Sequence, residues 1–116
     1  GIADAVTVLA RSAAEADVAA TLIANAVDID DPAVIRAPAN ELDPDSDLGD
    51  RCVTIARGNL SKEKIDLALK SGVSRAQKMV SSGSIEAALL ACDGQIRIVE
   101  NSEINISKTL TAYESR

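Results

Sequence analysis

Two residues limit the architecture of this chain more than any others. Asp93-Gly94 lies between an apolar run, IEAALLAC (85–92), and an alternating one, QIRIV (95–99). Asp-Gly favours the tight type I′ turn, whose central residues need positive φ and whose twist matches two antiparallel strands. A hairpin is therefore expected, although IEAALLAC alone is compatible with helix or strand. A hairpin argues against a purely parallel sheet. It favours an α+β fold with helices packed on a mixed or antiparallel sheet.

The remaining elements follow from local patterns. ADAVTVLA alternates and is rich in β-formers, which predicts a strand over residues 4–10. Ser12-Ala13-Ala14-Glu15 fits a capping box, so a helix should start at Ser12 and run to about Val27. Residues 28–50 contain all three prolines and no sustained period. They read as a long acidic loop with one helical turn near residues 32–36, and loops of this length are often functional. CVTIA (52–56) is the next expected strand. Ser61 caps a helix, with Leu60 and Ile65 as a hydrophobic staple and Gly72 as its stop. Ser74-Arg75-Ala76-Gln77 offers a further capping box for a helix that ends near Gly83. INISKTL (104–110) is a candidate last edge strand. The expected order is β-α-loop-β-α-α-β-β, in a single domain spanning residues 1–116.

Composition narrows the chemistry. The 116 residues include 20 alanines and one aromatic, Tyr113, which implies thin side chains and close helix–sheet approach. With no His present, a Ser-His-Asp triad, a Cys-His dyad and a His-based zinc site are excluded within the chain. Aromatic platforms for stacking bases or flavin rings are missing too. The formal charge of −6 argues against nucleic acid as a partner. The charge is uneven: residues 28–50 hold eight acids against one base, Arg36. Cys52 and Cys92 each sit in an apolar run, so buried, reduced thiols and a cytoplasmic location are expected. No apolar run approaches the ~20 residues of a membrane span, and no signal peptide is evident. The chain opens on Gly1 and its single methionine is Met79. A piece of a longer protein is expected, completed by its own N-terminal segment or by a second copy.

The helix over residues 12–27 carries the most distinctive pattern. Asp17, Thr21 and Asn25 recur every fourth position among alanines and aliphatics. At about 100° per residue, Thr21 lies about 40° and Asn25 about 80° from Asp17. The apolar arc covers roughly two thirds of the helix, wider than the ~100° stripe of a surface helix, which predicts a largely buried helix with one narrow polar ribbon. That ribbon either faces water or forms a site. Exposed helix positions favour Lys, Glu, Gln and Arg, whereas Asp, Thr and Asn are poorer helix formers. An Asp carboxylate and a Thr hydroxyl at i and i+4 can converge on one hard cation such as Mg²⁺.

The segment ADAVTVLARSAAEADVAATLIANAV resembles ApbE-type FMN:protein transferases, in which a strand leads into a helix bearing Ala-Asp-x-x-x-Thr. Here that motif is Ala16-Asp17-Val18-Ala19-Ala20-Thr21. The resemblance implies that Asp17 and Thr21 bind Mg²⁺ beside the phosphates of a flavin nucleotide, FAD or FMN. Asp17, Thr21 and Asn25 then become the candidate cofactor-binding residues. LDPDSDLGD and VTIARGNLSKEKIDLALKSG are similar in layout to an uncharacterised prokaryotic family of ApbE-like proteins. The upstream His-x-x-Asp-Pro-x-Thr-Gly loop of the ApbE-type enzymes is not in this sequence, so the likeness is to the C-terminal half of such a protein. The implied function is binding of a flavin nucleotide or another diphosphate through Mg²⁺. The alternative is a non-catalytic binding or assembly module of the same fold.

Two other features carry less. Asp43-Pro44-Asp45-Ser46-Asp47 begins like a calcium loop, but an EF-hand needs Gly at position six and Glu at position twelve, where this chain has Leu48 and Thr54. The segment reads as a solvated turn, or as an acidic lid lending Asp43, Asp45 and Asp47 to the site. Lys62, Lys64, Lys70, Arg75 and Lys78 read as solvated helix faces. If grouped, they could attract an anionic ligand or the chain's own acidic loop.

Overall fold

The structure, a computed structural model, describes residues 1–39, Gly49 and 52–101. Its elements are β1 (Ala5–Leu9), α1 (Ala13–Ala26), β2 (Val34–Pro38), β3 (Cys52–Arg57), α2 (Lys62–Ser81), β4 (Ala87–Cys92) and β5 (Gln95–Glu100). β1, β4 and β5 form an antiparallel sheet in the order β1-β4-β5, and β2 and β3 form a separate antiparallel pair. Helices on one face of an antiparallel sheet make this an α+β fold. The hairpin forms as its turn chemistry requires. Asp93 and Gly94 both take positive φ, 51° and 79°, and Cys92 faces Gln95 across the turn.

Two elements differ from expectation. Residues 34–38 are a strand rather than part of a loop with a helical turn. The chain does turn just before them, where Asp31 accepts from the Ala33 and Val34 amides through its side chain and its carbonyl. It then extends because Val34–Pro38 pairs with Cys52–Arg57, a partner too far along the chain to leave a local period. Pro38 stands at the strand end, where a missing N–H is tolerated. The expected acidic loop is thus interrupted, and residues 40–48, with Asp43, Asp45 and Asp47, lie outside the described residues, as does INISKTL (104–110).

The second difference is α2, one continuous 20-residue helix in place of two. Ser61 caps it, accepting from Lys64 N at 3.3 Å, and buried Ile65 and half-buried Leu60 hold the staple positions. Gly72 does not stop it. A β-carbon there would lie 2.3 Å from Val27 Cγ2 and 2.7 Å from Leu90 Cδ2, so this glycine serves close approach. The true stop is Gly83, at φ 79°. Its N–H donates to Val80 O and that of Ser84 to Met79 O, the paired bonds of a Schellman motif.

The core lies between the helices and the inner face of the sheet. Ile23 and Val27 of the first helical segment meet Ile65, Ala68, Leu69 and Ala76 of α2 over Ala88, Leu90, Cys92 and Val99. Ile2 is drawn in as well. Its N–H donates to Val27 O at 2.8 Å and its carbonyl accepts from Cys92 Sγ at 3.3 Å. Cys92 is buried, as its apolar run implies; the side chain of Cys52 lies outside what is described.

Candidate functional site

α1 begins as its sequence dictates. Ser12 Oγ accepts from Glu15 N at 3.1 Å, which satisfies one of the helix's orphan amides. The expected wide burial of this helix does not hold. Only Ala19 and Ile23 are buried, whereas Val18 is 61% and Leu22 40% exposed. The helix meets α2 and the sheet along one edge, because its alanines leave few large side chains to reach further.

Asp17, Thr21 and Asn25 do share a face, and all three are exposed. Thr21 Oγ1 donates back to the Asp17 carbonyl at 3.0 Å, a local bond of the kind Thr makes within helices. The Asp17 carboxylate and the Thr21 hydroxyl oxygen both remain open to solvent. Among the described residues there is no group of three or more His, Cys, Asp or Glu placed to hold a metal ion. A cation here would therefore take one carboxylate, one hydroxyl oxygen and otherwise water or ligand oxygens.

Beside this ribbon lies a groove of about 740 Å³ between α1 and the C-terminal half of α2, which the sequence did not reveal. Buried Ala19 and Ile85 and half-buried Met79 underlie it, and Ala14, Val18 and Leu22 form one wall. The helices run antiparallel here: Val27 meets Gly72, while residues nearer the start of α1 share the groove with Arg75, Lys78 and Ser82.

The opposite face of the sheet is largely exposed among the described residues, with Ala87 its one buried position. Its rows are Ala5–Ala91–Ile96, Thr7–Leu89–Ile98 and Leu9–Ala87–Glu100. Leu9, Ile96 and Ile98 are 45%, 58% and 37% exposed. This face was legible in part, because AALLAC is apolar without alternation, the pattern of a strand covered on both faces.

Four of the described cations, Arg36, Lys64, Lys70 and Arg97, are tied to carboxylates. Arg36 Nη2 donates to Asp28 at 2.6 Å and to Ile29 O at 3.0 Å. Lys64 pairs with Asp31, so one lysine of α2 does engage the acidic segment. The Lys64 hydrogen bond, with help from the Ala33 amide, holds the Asp31 carboxyl below the usual carboxylate range. Arg97 and then Lys70 do the same for Asp66, at 2.8 and 3.1 Å. Each pair has at least one partner more than a third exposed to water, so they serve alignment more than stability.

The fold and its exposed features define a small α+β domain, with two helices on one face of a three-stranded antiparallel sheet and the other face largely exposed among the described residues. It belongs to the family described as AbpE bacteria, whose model matches residues 1–98. This corrects the expected kinship. The family is not that of the ApbE-type FMN:protein transferases, and nothing else links the chain to those enzymes. Asp-x-x-x-Thr is a single i,i+4 pair, a spacing any solvent-facing helix can carry, so it discriminates poorly between families. No curated protein and no solved structure matches the chain significantly. No helix among the described residues is long and apolar enough to cross a membrane.

Proposed function

We propose that this chain is a non-catalytic assembly module that pairs with a second copy of itself through the outward, helix-free face of its β1-β4-β5 sheet, as the described residues present it. One observation carries the reading. The outward positions of the sheet are almost wholly apolar, where a solvated antiparallel sheet would show polar residues. Glu100, in the corner row, is the single charge among the nine positions of those rows. A face whose one charge sits at a corner meets its own copy with little opposition of like charges, although the chain carries −6 overall. Two such faces stacked about 10 Å apart would form a sandwich, with the same patch used on both sides.

Sedimentation equilibrium tests this. The protein should be a dimer, and Ile98→Glu should weaken self-association at least about 100-fold, since each copy would bury an unpaired carboxylate. The folded helix signal should persist, because Ile98 is already 37% exposed. A wild-type monomer at ~100 μM would end this reading, and so would an Ile98→Glu dimer as tight as wild type.

A second reading is supported by the shared exposed face of Asp17, Thr21 and Asn25. There a Mg²⁺ ion held by Asp17 and Thr21 would bridge to the phosphates of FAD, FMN or another diphosphate. Mg²⁺-dependent quenching of flavin fluorescence should then appear with wild type and fall at least tenfold in affinity with Asp17→Asn. Equal titrations for the two proteins would leave the ribbon a solvated helix face.

A further inference from the structure

The groove between α1 and α2 has a charge pattern of its own. Arg11, Arg75 and Lys78 line it, opposed by one carboxylate, Glu15. Three cations against one acid stand out in a chain of net −6. They also differ from four of the other described bases. Arg36, Lys64, Lys70 and Arg97 each hold a carboxylate, whereas among the described residues Arg11, Arg75 and Lys78 make no ion pair.

The apolar part of the groove is elongated. Ala14, Val18 and Leu22 follow one another at i, i+4 and i+8, a strip about 12 Å long. Met79 and Ile85 face that strip. Val18 at 61% and Leu22 at 40% exposure leave aliphatic surface in water beside unpaired cations. A concave apolar site with a few placed polar groups is the usual form of a small-molecule pocket, and about 740 Å³ lies within the usual range.

We infer that this groove binds a small amphiphile with an aliphatic chain and an anionic head, the chemistry of a fatty carboxylate or an alkyl phosphate. The chain lies along Val18, Leu22 and Met79. The head is drawn to Arg75, Lys78 and Arg11, where an arginine can engage two oxygens at once. The groove is separate from the outward sheet face, so this binding does not depend on the pairing proposed above.

Titration calorimetry with three twelve-carbon probes, each below its micelle concentration, tests the assignment. Dodecanoate and dodecyl phosphate should each bind one per chain, and the tighter of the two identifies the preferred head. Dodecyltrimethylammonium, with the same chain and opposite charge, should bind at least tenfold more weakly. Arg75→Gln/Lys78→Gln should weaken the anions at least tenfold, as should raising the salt from 0.05 to about 0.5 M, which screens exposed charges. Leu22→Asp should abolish binding without loss of fold, and Ile98→Glu should leave it unchanged. Equal affinity for the cationic and anionic probes would overturn the inference. So would wild-type binding by the groove variants, or loss of binding in Ile98→Glu, which would move the probe to the sheet face. Capture of an acidic amphipathic peptide with no response to dodecanoate would overturn it in favour of a helical partner.

Discussion

Replacing Gly72 with valine is expected to cost about 3 kcal/mol, a large part of the ~5–15 kcal/mol that holds a domain folded. The added β-carbon alone would stand 2.3 Å from Val27 Cγ2 and 2.7 Å from Leu90 Cδ2. Both neighbours are fully buried, so neither can swing into open space. Val27 is also β-branched and stiff about χ1. Gly72→Ala is milder. Its overpacking is offset by the ~1 kcal/mol that alanine gains over glycine inside a helix, leaving a net loss of about 1 kcal/mol. Val27→Ala removes the closer of the two clashing atoms. Gly72→Ala should therefore be less harmful in that background, with a coupling of at least ~0.5 kcal/mol in the double-mutant cycle. Urea unfolding of the four proteins measures all of this. A neutral Gly72→Ala in wild type would mean that α2 does not approach α1 and β4 as closely as described.

The second large effect separates two neighbours on α1. Ile23→Ala should destabilise by about 2–5 kcal/mol, since it empties a fully enclosed site and leaves a cavity. Leu22→Ala, one residue earlier, should stay within about 1 kcal/mol, because that side chain is 40% exposed. The contrast is a direct test of how the helix is rotated. Comparable losses at both positions would restore the widely buried helix that its composition suggests.

That rotation marks where sequence stops informing structure. Strands and caps announced themselves through nearest neighbours: the alternation of AVTVL, the Ser12 and Ser61 hydroxyls, the Asp93-Gly94 turn. Each depends on atoms a few residues apart. Residues 34–38 gave no such signal, because their strand character comes from pairing with residues 52–57. Gly72 misled for a related reason. A glycine that ends a helix and one that lets another element approach look alike in sequence, and only Val27 and Leu90, brought in from elsewhere, tell them apart. The polar ribbon was read correctly as one face of a helix, but its spacing could not name a family. The groove was invisible in principle, since it needs residues 11–22 and 75–85 side by side.

The sheet itself has a consequence for how the protein is made. Among the described residues β1 pairs only with β4, and Ala5 meets Ala91 while Leu9 meets Ala87, so the partners are separated by about 80 residues. Ribosomes add ~5–20 residues each second, so β1 waits on the order of 4–16 s after its own synthesis before its partner exists. During that interval the apolar strand has been made and its described partner has not. The hairpin of β4 and β5, joined by two residues, closes in microseconds once made. The last-made segment of the sheet is thus the template, and the first-made strand is the one that must find it. Long-range closure of this kind slows folding, and it makes the interval of synthesis, rather than the finished fold, the period of greatest exposure to aggregation.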